Sequence, residues 1–362
     1  MAITEIIAEK LNLKARLPIE LGNYPYVCAR VKGKKSRLLA KDTYARLLKM
    51  ETPSISRFLG EGQYRDQMLA LGAKYSGVDL IEMATRNNLA DVFTQIIEFS
   101  EGDLRTMISR FLDRWDVWNV KTIIRGKSYG APNEEIIEDL IPAGSFSTEF
   151  LRKLAEKETT EEVMKELENT VYDLAYREAK GDSEEFPPIS VFEDALDRAY
   201  YSFLLEVVPP TTDPMKLLRM FIRKEIDMIN LRTLLRTRED AERIERDVFI
   251  EGGLELSKKE LDTFMPLSLE ELLPKLQKYS FYDDISGPLK EVKTKGLNDV
   301  ARALEKHHQR QASRYSNLHP LSILPVLDYM ISKEIEVENI RIIARGKRDG
   351  LSESTIRDLL VI

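Results

Sequence analysis

The chain of 362 residues holds a single cysteine, Cys28. That excludes an internal disulfide framework and any multi-cysteine metal or iron–sulfur site, and it suits a reducing compartment. Glycine is also scarce, at 17 residues, below the usual ~7% of a globular chain. Set beside abundant Leu, Glu, Lys, Arg and Ile, this favours long helices over turn-rich β-structure. No apolar run reaches the ~18 residues of a membrane helix. Tyr200–Val208 is short and broken by Glu206, and Leu318–Ile331 is interrupted by His319, Pro320, Pro325 and Asp328. The N-terminus carries Glu5, Glu9 and Lys10 among its apolar residues and so lacks the core of a signal peptide. A basic excess is missing as well: 54 Lys and Arg against 61 Asp and Glu leave a formal charge of −7. An acidic, evenly mixed chain has no net basic face for bulk nucleic-acid binding. These absences predict a soluble, intracellular, mostly helical protein.

What is present is a triplication. Trp115–Arg125, Ile226–Arg236 and Ile335–Arg345 share one pattern: an acid, two further residues, an asparagine, an aliphatic residue, a base, and an arginine four residues beyond that base. The asparagines, Asn119, Asn230 and Asn339, are spaced by 111 and 109 residues. Lys224-Glu225-Ile226-Asp227 matches Lys333-Glu334-Ile335-Glu336. Arg125-Gly126-Lys127 matches Arg345-Gly346-Lys347, with Gly130 answering Gly350 and Ile136 answering Ile356. A period near 110 is domain-sized, longer than the repeats of a solenoid. Equivalent cuts divide the chain into three similar helical domains, 1–144, 145–253 and 254–362, the first with extra N-terminal residues.

The 3.6-residue period predicts helices over Ile108–Arg125, Met220–Arg236 and Met330–Arg345, and over Asp66–Glu98, Thr159–Ala179, Phe192–Val207 and Lys290–Arg310. Gly126 and Gly346 follow Arg125 and Arg345 where a terminating glycine would stand. Breaks fall at Lys180–Pro188, Pro209–Pro214 and Phe281–Pro288. Tyr24–Val31 alternates enough to be read as a strand or as the entry to a helix. The fold class is all-α.

No catalytic, metal or cofactor site emerges. Gly126-Lys127-Ser128 ends like a phosphate-binding loop, but position 121 is Lys where a glycine is needed, and a helix precedes it where a strand is required. Gly60 and Gly62 are followed by Arg65 where a dinucleotide fingerprint has its third glycine. His307 and His308 are adjacent, so on a helix they project about 100° apart. With His319 they read as solvated side chains, not zinc ligands. The 61 acids offer no pair with a nucleophile beside it.

The repeated positions carry the signal. Apolar residues stand four before and four after each asparagine, so Asn119, Asn230 and Asn339 fall within a buried stripe. A buried amide must be hydrogen-bonded, which makes them structural ties to neighbouring backbone. Lys121 and Arg125, Arg232 and Arg236, and Arg341 and Arg345 share a helix face in pairs, followed by Lys127, Arg238 and Lys347. They complement the helix dipole at each C-terminal turn. They also form three related basic clusters suited to an acidic partner.

Tyr24-Pro25-Tyr26-Val27-Cys28-Ala29-Arg30-Val31-Lys32, followed by Lys35-Ser36-Arg37-Leu38-Leu39, resembles the N-terminal segment of the C-subunit family of archaeal A-type (V-type) ATP synthases, which is related to the d subunit of the vacuolar ATPase. Trp118–Lys127 resembles that family's repeated element. The third copy departs at Glu338, where the others hold Trp118 and Ile229. The resemblance implies three similar helical domains in a funnel about a pseudo-threefold axis. It also implies a non-catalytic rotor component without cofactor, lying at the cytoplasmic face of the cell membrane. Its implied partners are the proteolipid ring of the membrane sector and the D and F subunits of the central stalk, with the A and B head subunits reached indirectly. Torque would pass through it for ATP synthesis coupled to proton or sodium transport. A helical adaptor or scaffold unrelated to ATPases fits the same repeats, and an enzyme with an inter-domain site is a third reading.

Overall fold

The computed structural model describes residues 21–237 and 248–362, and these are helical with no strand among them. Glu5, Glu9, Lys10 and Arg238 lie outside the described residues. A lead helix, α1 (Tyr24–Lys35), precedes α2 (Lys41–Lys49), α3 (Thr52–Glu61), α4 (Arg65–Leu71), α5 (Gly77–Glu98), α6 (Gly102–Leu112), α7 (Arg114–Ser128) and α8 (Asn133–Asp139). The succession returns as α9 (Thr148–Ala155), α10 (Thr160–Glu166), α11 (Val171–Lys180), α12 (Ile189–Val207) and α13 (Asp213–Arg236). It returns again as α14 (Lys258–Phe264), α15 (Leu269–Leu276), α16 (Tyr282–Lys290), α17 (Val292–Lys295), α18 (Asn298–Leu318), α19 (Leu324–Arg348) and α20 (Glu353–Leu359).

Local chemistry sets many of these boundaries. The side chains of Ser147, Thr159, Thr212, Ser257, Ser268 and Ser352 each accept the backbone N–H three residues on, which satisfies an orphan donor at the helix start. Ser257 with Glu260 and Ser268 with Glu271 complete reciprocal capping boxes. Tyr24–Val31 is helical, within α1. The stripe over Ile108–Arg125 is interrupted at Asp113, between α6 and α7, and Phe281–Pro288 lies largely within α16, with Pro288 inside the helix.

The helix stops also differ from the pattern reading. Gly126 and Gly346 sit inside α7 and α19, and it is Gly130 and Gly350, both at φ +69°, that take the left-handed conformation beyond the helix ends. Gly126 and Gly346 are needed for a different reason. A Cβ on either would run into the side chain of Ile136 or Ile356, which α8 and α20 lay across the helix. His307 is buried at 4% exposure, so it belongs to the packing of α18 and not to the solvated surface.

The described chain forms two compact units. One comprises residues 21–22 and 101–304, the other residues 23–100 and 305–362, so α18 contributes to the first up to Leu304 and to the second from Glu305. In the first unit α7 packs on α9, α10 and α12, and α8 packs on α9. A second part of that unit gathers Leu231, Leu234, Phe249, Leu261, Leu272 and Phe281 into one apolar core. In the other unit α19 packs along α1 and α5, and α20 packs on α2. Val27, Val31, Leu47, Phe93, Val326, Met330 and Ile340 are buried there. The closing helices of one repeat therefore pack against the opening helices of another.

Candidate functional site

All three repeated asparagines are buried, at 1% exposure or less. Asn119 donates from Nδ2 to the Ile141 carbonyl at 2.7 Å and accepts the Ile141 N–H on Oδ1 at 2.8 Å. Asn230 does the same with Ile250, both at 2.8 Å, and Asn339 with Val361 at 2.8 and 2.9 Å. Each amide thus bonds both polar groups of one residue 20 or 22 positions downstream. It fastens the returning chain to the side of the long helix.

An acid three residues before each asparagine makes a second tie. Asp116, Asp227 and Glu336 are each at 2% exposure or less. Asp116 accepts the N–H groups of Ser145 at 2.6 Å and Phe146 at 3.2 Å. Asp227 accepts those of Leu254, Glu255 and Leu256 at 2.8–3.1 Å. Burial, with the charge of nearby Asp113, pushes the Asp116 carboxyl up to about 7, and burial pushes Asp227 up to about 6. In both cases the N–H donors offset only part of the desolvation.

Glu336 is surrounded by donors: the Leu39 N–H, the Gln63 amide at 2.7 Å, the Tyr64 hydroxyl at 2.6 Å and the Lys333 ammonium at 2.9 Å. Lys333 is wholly buried and also donates to the Tyr64 oxygen at 2.9 Å. Burial holds the Lys333 ammonium below its ordinary range, against the pull of Glu336.

Most of the repeated bases are engaged within the chain. Arg125 grips Glu193 of α12 with two nitrogens, and Lys121 pairs with Asp197 on the same helix at 2.5 Å. Arg345 grips Glu82 of α5 with two nitrogens at 2.7 and 2.5 Å. Burial pushes Glu82 upward, but the Arg345 bonds and the charges of Arg345, Arg341 and Arg86 hold its carboxyl below the usual range. Arg341 meets Glu338 at 3.0 Å. Lys127 donates to the Asn133 side chain at 2.6 Å and Lys347 to the Leu48 carbonyl at 2.8 Å. Arg232 is half-buried, and Arg236 is exposed at the end of α13. The Arg125 and Arg345 side chains keep 47% and 46% of their surface exposed. On the helix of Arg125, Trp118 is 46% exposed, and just past its end Tyr129 is 81% exposed.

Pattern reading did not single out the carboxylates that receive these arginines, yet a signal existed. Glu82 and Glu193 are 111 residues apart, the same interval that separates Asn119 from Asn230. No group of three His, Cys, Asp or Glu among the described residues is arranged to hold a metal ion, and no described helix is long and apolar enough to cross a membrane.

The long helices, triplicated ties and half-exposed basic rows define an all-helical repeat protein whose polar positions are occupied chiefly with holding its own helices together. Its affinities in sequence agree on one family. The model of the ATP synthase (C/AC39) subunit matches residues 27–359, and the chain belongs to that family. It is 42% identical to the C subunit of the A-type ATP synthase of Methanococcoides burtonii, over 94% of both chains. The corresponding C subunit of Methanosarcina acetivorans is 39% identical over 94% of this chain and 93% of its own, and that of Haloferax volcanii 37% over 94% and 98%. The chain is therefore a subunit of an A/V-type ATP synthase, and works as part of a complex with other subunits.

Proposed function

We propose that the chain is the non-catalytic socket of the rotor, joining the membrane proteolipid ring to the D and F subunits of the central stalk. It passes torque between ion flow in the ring and ATP synthesis in the A/B head, and it lies peripherally on the cytoplasmic face of the membrane. The observation that carries this reading is the match to C subunits of A-type ATP synthases over nearly the whole of both chains. Helices tied at every repeat by buried amides and carboxylates suit a part that must transmit force without yielding. The three repeats, 1–144, 145–253 and 254–362, are proposed as the structural thirds of that socket.

The repeated bases are proposed to border its partner-facing surface. Arg236, exposed and without an ion pair to a described residue, is the one most open to a neighbour's carboxylate. Arg125 and Arg345 present their uncovered edges while holding Glu193 and Glu82. Lys121, Arg232 and Arg341 stand one turn earlier, Lys121 and Arg341 with only 14% and 15% of their side chains exposed, so Arg125, Arg236 and Arg345 offer most of the accessible charge. Half-exposed charges of this kind act mainly on association rate and salt dependence. The test is binding of purified D–F complex and of detergent-solubilised proteolipid ring to the parent chain and to an Arg125→Glu/Arg236→Glu/Arg345→Glu variant across a salt series. The parent is expected to bind both partners, and the variant to associate more slowly and with less salt sensitivity. Failure of the parent to bind either partner would contradict the socket role.

A further inference from the structure

The acid ties raise a question of connectivity that the amide ties do not. In the first two repeats the residue held by asparagine and the segment held by the acid are consecutive stretches of chain, Ile141 then Ser145–Phe146, and Ile250 then Leu254–Leu256. In the third, asparagine holds Val361, whereas the acid holds Leu39. The three held segments occupy the same place in the fold. Phe146 stands two residues before the start of α9, Leu256 two before α14, and Leu39 two before α2. Phe146, Leu256 and Leu39 are all apolar, and each leads into the short helix that opens the next set.

We propose that the chain is closed upon itself by this third carboxylate latch. Residues 39–64 supply to the third repeat the opening half that residues beyond 145 and 254 supply to the first and second. The longer side chain of Glu336, where the other repeats use Asp116 and Asp227, spans to a segment that arrives from far away in sequence. Its second oxygen is taken up by Gln63, Tyr64 and Lys333. Two of these come from the same N-terminal stretch. Lys333, fully buried, has its charge met by Glu336 and Tyr64, an arrangement that depends on residues 63–64 being in place. An ammonium in that position is strongly unfavourable until its partners arrive. Burial of the middle of α19 is therefore conditional on docking of the N-terminal segment, and the latch acts as a folding checkpoint that couples residues separated by nearly three hundred positions.

Hydrogen exchange on the full chain tests this. Every group facing the Glu336 carboxylate is a donor, so Glu336→Gln places an amide N–H₂ against a donor in either orientation. Peptides covering residues 36–50 are expected to exchange about tenfold faster in Glu336→Gln, with residues 140–160 and 250–265 unchanged. Asp116→Asn is expected to do the reverse, releasing 140–160 alone. Should Glu336→Gln unfold altogether, Lys333→Met/Glu336→Met removes both charges at similar volume. It is expected to release 36–50 while α5 and α19 keep their protection. Unchanged protection of 36–50 in the variant that folds would overturn the latch, as would equal acceleration of all three segments in Glu336→Gln.

Discussion

Removing one amide tie should cost far more than an average surface substitution, and most in the second and third repeats. In Asn339→Ala the Val361 carbonyl and N–H lose partners at 2.8 and 2.9 Å, at a site where Asn339 is 1% and Val361 6% exposed. Each backbone group left buried without a partner costs about 1–3 kcal/mol, which puts the pair at about 2–6 kcal/mol. Asn230→Ala strips equivalent bonds from Ile250 and should fall in the same range, while Asn119→Ala should cost about 1–3 kcal/mol, because the Ile141 carbonyl keeps the Ala143 N–H at 2.8 Å. Scanning calorimetry should show the affected transition lowered by about 4–24 °C, at about 2–4 °C per kcal/mol for a body of 150–250 residues. Exchange of the Val361, Ile141 or Ile250 amide should rise only in the matching variant. A cost within about 0.5 kcal/mol of zero at any of the three, the range of ordinary surface substitutions, would refute the reasoning.

Stability should also carry an unusual pH component. Asp116 and Asp227 sit at about 7 and about 6 in the fold against an ordinary 3.8, so the fold binds their protons more tightly than the open chain does. Their contribution is complete below about pH 4 and is lost as the pH rises through 6 to 7. Asp116→Asn should flatten the fall in melting midpoint between pH 5.5 and 8, and equal slopes in parent and variant would count against it. Gly126→Ala improves helix propensity by about 1 kcal/mol. It also drives a methyl into Ile136, at a typical overpacking cost of about 1–3 kcal/mol. Denaturant melts should show net loss, the double variant with Ile136→Ala should lose less than the two single losses added together, and a net gain from Gly126→Ala would be the wrong sign. Arg345→Ala leaves Glu82, whose side chain is 10% exposed, without its two-nitrogen partner. A double-mutant cycle with Glu82→Ala should give a coupling of about 1–2 kcal/mol, between an exposed and a buried pair and weakened by salt. Simple additivity would show that the bond contributes nothing.

Features set by local periodicity were readable from the residues alone. The apolar flanks at i±4 mark Asn119, Asn230 and Asn339 as interior positions, and their interval exposes the triplication. Features set by what a distant segment lays across a helix were not. Gly126 and Gly346 look like helix stops because that rule concerns the helix alone, whereas Ile136 and Ile356 are what forbid a side chain there. The bases look free for the same reason. Glu193 lies 68 residues from Arg125 and Glu82 lies 263 from Arg345, and only the repeat interval links the two acids. Leu39 gives no sign in sequence that it completes the third repeat, because its counterparts Phe146 and Leu256 share with it little beyond apolarity.

The rotor role is tested most directly by recovering the tagged chain from native membranes and identifying what travels with it by mass spectrometry. Co-recovery of the proteolipid, the D and F stalk subunits and the A and B head subunits is expected, in amounts that stay proportional through a second purification step. Recovery of the chain with soluble proteins alone, in a preparation where the intact synthase is otherwise present, would contradict it.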